Sequence, residues 1–171
     1  MTVATDRSLA GAATAAPLRG RVEAIHIADA RGAPVRAVER VDAVAGVGLL
    51  GDRHAKGASV PAEDVKDDQQ LTLVAAEEIE RLAEVHAIFL EPGETRRNIT
   101  TRGIDVNALV GRRFRIGDVE CEATRLCEPC QYLTDFLGKP ILEPLVHRAG
   151  VRARIHTGGE IAVGAEVVAL D

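Results

Sequence analysis

The sequence predicts an α+β domain built around a closed or nearly closed β-barrel, and three observations predict it. Short runs of alternating polar and apolar residues recur along the chain, bounded by turn signals, with 16 glycines in 171 residues to make the turns. Few stretches carry helical spacing, and those are interposed between strands. Hydrophobic residues make up 46% of the chain but aromatics only 2%, so the core must rest on Val, Leu, Ile and Ala.

The elements follow in order. Arg21 to Ile27 alternates polar and apolar side chains, as a half-buried strand does, and Arg31-Gly32-Ala33-Pro34 is a turn. A second strand is expected over Arg36 to Val44, ended by the glycines of Gly46 to Gly51. A long polar loop then runs through His54 and Lys56 to Gln70, long enough to suggest a task. Leu71 to Val74 reads as a short strand feeding the clearest helix, where Ala75, Ile79, Leu82, Ala83 and His86 recur at helical spacing. Arg97 to Thr101 is another strand, and Ile104 to Val110 a short connection or helical turn. Arg113 to Ile116 and Val119 to Thr124 flank Gly117-Asp118 as a hairpin. Tyr132 to Phe136 and Ile141 to His147 read as helices around Gly138-Lys139-Pro140. A pattern like the hairpin closes the chain, Glu160 to Val163 and Glu166 to Leu170 around Gly164-Ala165.

Length favours one domain with a core that needs no disulfide staples. Residues 1–18 are expected to be a disordered Ala-rich tail ahead of a domain at 19–171, because Asp6 and Arg7 and the lack of a leucine-rich core argue against a signal peptide. A net charge of -5 and a scarcity of aromatic rings argue against nucleic acid as a partner. No apolar run is long enough for a membrane span, and three cysteines are too few and odd in number for a secreted disulfide framework. A soluble, cytoplasmic protein is the expectation.

Chemistry concentrates in Thr124-Arg125-Leu126-Cys127-Glu128-Pro129-Cys130, where two cysteines three apart lie between a strand and a helix. Such thiols serve as nucleophile, redox pair or soft metal ligand, and a nearby arginine favours the thiolate. Cys121 and His147 complete a possible Cys3His zinc set with the pair, at a spacing unlike the common zinc modules. Cys121 alternates with Val119 and Ala123 on the inward face, so its expected state is a buried inert thiol. Arg96-Arg97-Asn98 opens a strand, and Arg148, Arg152 and Arg154 bracket Gly150. Arginines so placed suit a phosphate or carboxylate, or else ordinary surface ion pairs. His54 and Lys56, after Gly51-Asp52-Arg53, invite the same anion reading, with a solvated loop as the alternative. Gly158-Gly159 either lets backbone approach a ligand closely or simply makes a turn.

These segments together resemble the MOSC family, named for the C-terminal domain of molybdenum cofactor sulfurases. The resemblance runs from about Gly20 to the end. It rests on Gly48-Leu49-Leu50-Gly51-Asp52-Arg53-His54, on Gly93-Glu94-Thr95-Arg96-Arg97-Asn98-Ile99, on Cys127-Glu128-Pro129-Cys130, and on Gly150-Val151-Arg152-Ala153 with Gly158-Gly159 and Val163-Gly164. It implies a mainly β, barrel-like fold with peripheral helices. It also implies a site for molybdenum cofactor, a molybdopterin, or a related sulfur-bearing metal group, with Cys130 as metal ligand or sulfur carrier. Arg53, His54, Lys56, Arg97, Asn98, Gly158 and Gly159 would then contact the cofactor.

The larger reductases of this superfamily carry a further N-terminal β-barrel domain, and the sulfurases an aminotransferase-like domain. This chain has room for neither, so the resemblance implies a standalone form working with an external reductase or sulfurase. Reduction of N-hydroxylated substrates is the reaction implied. The alternatives are a metal-free sulfur-carrier or small-anion binding module, and a redox-regulated interaction domain using a Cys127-Cys130 disulfide.

Overall fold

Strands form where the alternating pattern places one apolar face inward, and here those faces meet around a closed barrel. The computed structural model describes residues 18–55 and 68–170. The expected tail, apart from Leu18, and Lys56 lie outside the described residues. Eleven strands are present among the described residues: β1 Arg19–Ala28, β2 Val35–Val38, β3 Arg40–Val44, β4 Gly48–Leu49, β5 Leu71–Ala75, β6 Ile99–Arg102, β7 Arg113–Ile116, β8 Val119–Leu126, β9 Val151–Thr157, β10 Gly159–Ala162 and β11 Glu166–Ala169. The helices are α1, Ala76–His86, and α2, Gln131–Leu137, with a 3-10 turn at Val106–Leu109.

Seven strands close the barrel in the order β11-β7-β8-β9-β5-β6-β1, and β1 pairs back to β11. Closure leaves these seven strands without an open edge, while β2 extends from β1 as a short additional strand. The β5–β6 pair is parallel, which requires a crossover, and α1 supplies it. β1 is long enough for two duties: its first residues pair β11, and its last four pair β2. β3 pairs β4 and β10 in a separate small sheet.

The barrel interior is filled by Val22, Ile25, Leu73, Ile99, Phe114, Val151 and their neighbours, all essentially inaccessible to solvent. Phe114 is its one aromatic ring. A second apolar cluster outside the barrel joins Leu82 of α1 to Leu133 of α2 and to Ile141, Leu145 and Ala149. That cluster seats α2, and so fixes the direction in which the cysteine segment leaves β8.

The α+β barrel, mainly β with peripheral helices, is as expected. Four details differ. The strand expected over Arg36 to Val44 is two strands broken at Glu39, because the chain leaves the barrel edge there to enter the small sheet. Ile141 to His147 forms successive turns rather than a regular helix: Pro144 has no N–H to donate, and His147 adopts a left-handed backbone, φ 60°. The final two strands do not form a hairpin, since β10 pairs β3 while β11 pairs β1 and β7. β9 is an additional strand at the heart of the barrel, and the alternation of Val151-Arg152-Ala153-Arg154-Ile155-His156 is its signature.

Candidate functional site

A cavity of about 660 Å3 opens on the outer side of the barrel. The end of β1, the loop at 52–54, the residues entering β6, the cysteine segment and β9 all contribute to its lining. Its walls are built by polar cross-links that fasten these separate pieces to one another.

The cysteine segment is gripped from two sides. As β8 ends, the Cys127 N–H donates to the Gly150 carbonyl at 2.8 Å. Arg97 then gathers four carbonyls with one side chain: Ala149 at 2.9 Å, Thr95 at 3.3 Å, Cys127 at 3.0 Å and Glu128 at 3.4 Å. A guanidinium has five N–H donors in a fixed fork, so four are spent on backbone. From the other side, the Glu128 carboxylate accepts the His147 N–H at 3.1 and 3.2 Å. Within this frame Cys127 is buried, 3% exposed, and Cys130 is exposed at the start of α2. Both thiols line the cavity.

Asn98 and Asp52 do similar work. The Asn98 side-chain carbonyl accepts from the Thr72 N–H at 3.1 Å and hydroxyl at 3.2 Å, while its amide donates to the His26 carbonyl at 3.2 Å. It thereby ties β1, β5 and β6 at the cavity floor. Asp52, 2% exposed, accepts the Ala28 N–H at 3.0 Å, and the Arg53 N–H donates to the Ala28 carbonyl at 2.7 Å. These bonds hold the 52–54 loop against the end of β1.

The lining holds five arginines, Arg31, Arg53, Arg96, Arg97 and Arg152, against Asp29 and Asp52. In a chain with a net charge of -5, that is a concentrated positive pole. His54 is held below its usual pKa by burial and by the Arg53 and Arg152 charges, with Asp52 opposing. Burial likewise weakens proton binding by Arg97 and Arg96, which also feel the Arg53 charge. Among the described residues, three buried donor or acceptor atoms of the lining have no hydrogen-bond partner: Nη2 of Arg96, Nε of Arg152 and Nδ1 of His26. Buried polar atoms are ordinarily satisfied, so such a group of exceptions marks a place for a polar ligand.

Of the residues singled out in the sequence, Cys130, Arg53, His54, Arg97 and Asn98 meet in this cavity. Gly158 and Gly159 are not part of its lining; a side chain at 158 would come within 2.8 Å of the Ala43 carbonyl, so the close approach there is made by β3. Arg148 pairs with Glu78 at 3.1 Å, away from the cavity. Cys121 is enclosed in the barrel as expected, its thiol pushed up to about 12 by burial, with Glu120 adding to the effect. No group of three or more His, Cys, Asp or Glu residues is placed to hold a metal among the described residues. A metal here would have to arrive with ligands of its own.

His26, Arg31 and Tyr132 complete the lining without having been singled out. His26 reads in sequence as an ordinary outward polar position of an alternating strand. It is buried because Gly93 packs over its ring, a contact between segments far apart in the chain. Arg31 lies over the Tyr132 ring, 4.6 Å from its centroid, and so joins the 29–34 turn to α2 across the cavity.

The model of the MOSC domain family matches residues 52–168, about two thirds of the chain and all but the β1–β4 side of the cavity. The chain belongs to the MOSC domain family. The backbone of this MOSC domain is similar to the YuaD protein from Bacillus subtilis, with a TM-score of 0.75 at 18% identity, covering 91% of this chain and 99% of that one. It is similar too to YiiM from Escherichia coli, with a TM-score of 0.66 at 18% identity over 91% of this chain and 71% of that one. YiiM from Geobacillus stearothermophilus gives a TM-score of 0.66 at 14% identity, over 89% and 75%. At these identities the likeness is one of fold. None of the curated proteins matches the chain. No helix of the described residues is long and apolar enough to cross a membrane.

Proposed function

We propose that this MOSC domain binds molybdenum cofactor or a related sulfur-bearing metal group in the arginine-lined cavity, with Cys130 as the thiolate ligand or sulfur carrier. The observation that supports it most is the coincidence of one exposed thiol with a positive cavity whose buried donors lack partners. A phosphate-bearing, dithiolene-ligated group suits both properties, since it brings anionic oxygens for the arginines and its own sulfur ligands for the metal.

The protein's residues divide the work. Cys130 offers its sulfur from the mouth of the cavity. Arg97, by holding the Cys127 and Glu128 carbonyls, fixes the segment that presents it. Cys127 packs behind, its N–H bonded to Gly150. Asn98 and Asp52 keep the walls in register. When bound, the group supplies two-electron oxygen-atom chemistry, here the reduction of an N-hydroxylated substrate with electrons from a separate reductase.

Expression with and without an intact cofactor pathway, followed by elemental analysis, tests this reading. Molybdenum at about one equivalent in the wild type and its loss in Cys130→Ser is the expected result. Full molybdenum retention and unchanged reductase activity in Cys130→Ser would overturn it.

The exposure of the Cys130 thiol also supports a second reading, in which it carries sulfur without a metal. A persulfide mass increment on Cys130 after exposure to a sulfur donor, in protein free of molybdenum, would select it.

A further inference from the structure

The mouth of the cavity carries a row of four side chains in which two rings lie between two cations. Arg31 lies over the Tyr132 ring at 4.6 Å, Tyr132 stacks on Phe136 with centroids 6.0 Å apart, and Arg96 stands over Phe136 at 5.3 Å. The row joins the 29–34 turn to α2 and to the loop before β6. Its two ends are held very differently.

Arg96 is fastened. Its Nη1 donates to the Ala33 carbonyl at 2.8 Å, and that bond also pins the turn, which the Ala33 N–H closes on the Ala30 carbonyl at 3.1 Å. Arg31 is an exposed residue of the pinned turn, and the Tyr132 ring is the one contact of its guanidinium among the described residues. An exposed cation–π contact favours the seated side chain over the free one by only about two- to fivefold. Exposed side chains also change rotamer quickly. The Arg31 side chain can therefore leave the ring while the turn stays where it is.

Turn and α2 are nearly in contact at this point. Gly32 takes φ 75°, and a Cβ on it would lie 3.3 Å from the Tyr132 hydroxyl oxygen. The three cysteines are graded in access around the same place: Cys130 is exposed, Cys127 lines the cavity at 3% exposure, and Cys121 is enclosed in the barrel.

We propose that Arg31 is a side-chain gate, latched on Tyr132, that sets the size of molecule able to pass Cys130 and enter the cavity as far as Cys127. Arg31 and Tyr132 are then the residues that determine size selectivity for whatever the cavity takes. The inference rests on the cavity as the functional site, but needs neither a metal nor sulfur transfer.

Thiol alkylation of the purified full-length protein tests the gate, with iodoacetamide as the small reagent and N-phenylmaleimide as the bulky one. The rate at each cysteine is read by peptide mass at low extents of reaction. Arg31→Ala should raise the N-phenylmaleimide rate at Cys127 about threefold to sixfold, the factor by which a latch of this kind suppresses opening. Iodoacetamide should gain less, and Cys130 and Cys121 should react as in the wild type. Tyr132→Leu should behave like Arg31→Ala, whereas Tyr132→Phe keeps the ring face and should keep the wild-type rates. Tyr132 is the chain's one tyrosine and there is no tryptophan, so its emission reports the latch directly. Acrylamide should quench it more strongly in Arg31→Ala.

An unchanged Cys127 rate in Arg31→Ala overturns the gate, and so does an equal rise at all three cysteines, which marks a loosened fold. Rates in Tyr132→Phe as fast as in Tyr132→Leu would remove the ring as the latch. Molybdenum uptake by wild-type protein whose Cys127 rate ignores Arg31 would sink this inference while the cofactor reading stands. Gated Cys127 reactivity in protein that never takes up molybdenum would do the reverse.

Discussion

The barrel interior and the cavity beside it share strands β1, β5 and β9 but treat buried polar groups in opposite ways. Inside the barrel, Cys121 is packed among Phe114, Ile155 and small residues, its thiol kept neutral by burial. On the outer side, Arg96, Arg152 and His26 keep buried polar atoms without a partner among the described residues. Packing alone explains the first region. The second is held in shape by side-chain bonds to backbone, at Arg97, Asn98 and Asp52, and has polar capacity left over. A region stabilised for its own sake would not leave such capacity, because each unsatisfied buried group costs about 1–3 kcal/mol. The inner region serves stability, and the outer one is where the proposed function is placed.

The largest expected effect comes where the two regions share a residue. Gly150 has φ 99°, and a Cβ there would lie 1.9 Å from the Leu73 carbonyl oxygen. Its own carbonyl receives the Cys127 N–H. Gly150→Ala should therefore cost more than about 4 kcal/mol, at the severe end for a single substitution, and abolish cavity and barrel together. Urea denaturation and the yield of soluble protein measure it; a near-wild-type midpoint would mean that β5 and β9 tolerate far more displacement than their packing allows.

Arg97→Met should separate the regions. Loss of about 2–3 kcal/mol is expected from four stranded carbonyls, with the barrel intact. The stronger signature is local: faster amide exchange over residues 127–130 and faster alkylation of Cys127, while Cys121 stays protected. Arg97→Lys should not restore the wild-type pattern, since a single ammonium cannot span those carbonyls. Unchanged exchange in Arg97→Met would show that the Glu128–His147 and Cys127–Gly150 bonds suffice to hold the cysteine segment.

The smallest effect belongs to the barrel's outer surface. Glu122 lies 2.7 Å from the His156 ring, a hydrogen bond that holds its carboxyl below the usual 4.5. A depressed folded-state pKa contributes stability above the unfolded value and loses it as pH falls through the folded value. Glu122→Gln should thus flatten the acid limb of Tm against pH below about 4.5, by less than about 0.5 kcal/mol.

Alternation made most strands legible, because a side chain's face in a strand depends only on residues next to it in sequence. Cys121 could be placed inside the barrel for that reason alone. β9 shows the same signal, though the arginines between its apolar residues draw attention as anion ligands and hide the strand. The false hairpin of β10 and β11 has another cause: a short turn between two strands does not specify which sheet each will join, and here the partners β3 and β7 lie far off in sequence. The site was legible in its members rather than their duties. Arg97 and Asn98 stand out as donors, but nothing local shows that the carbonyls of Ala149, Cys127 and His26 will consume them.

The sequence by itself determined the mainly β barrel, the inward position of Cys121 and the MOSC resemblance, since these rest on periodicity and on motifs contiguous in the chain. Only the tertiary structure decided that Cys127 is buried while Cys130 is open, and that Arg97 is spent while Arg96 and Arg152 keep a buried N–H without a partner among the described residues. Burial and hydrogen-bond satisfaction depend on which distant segments arrive at a side chain, and spacing along the chain carries no record of that.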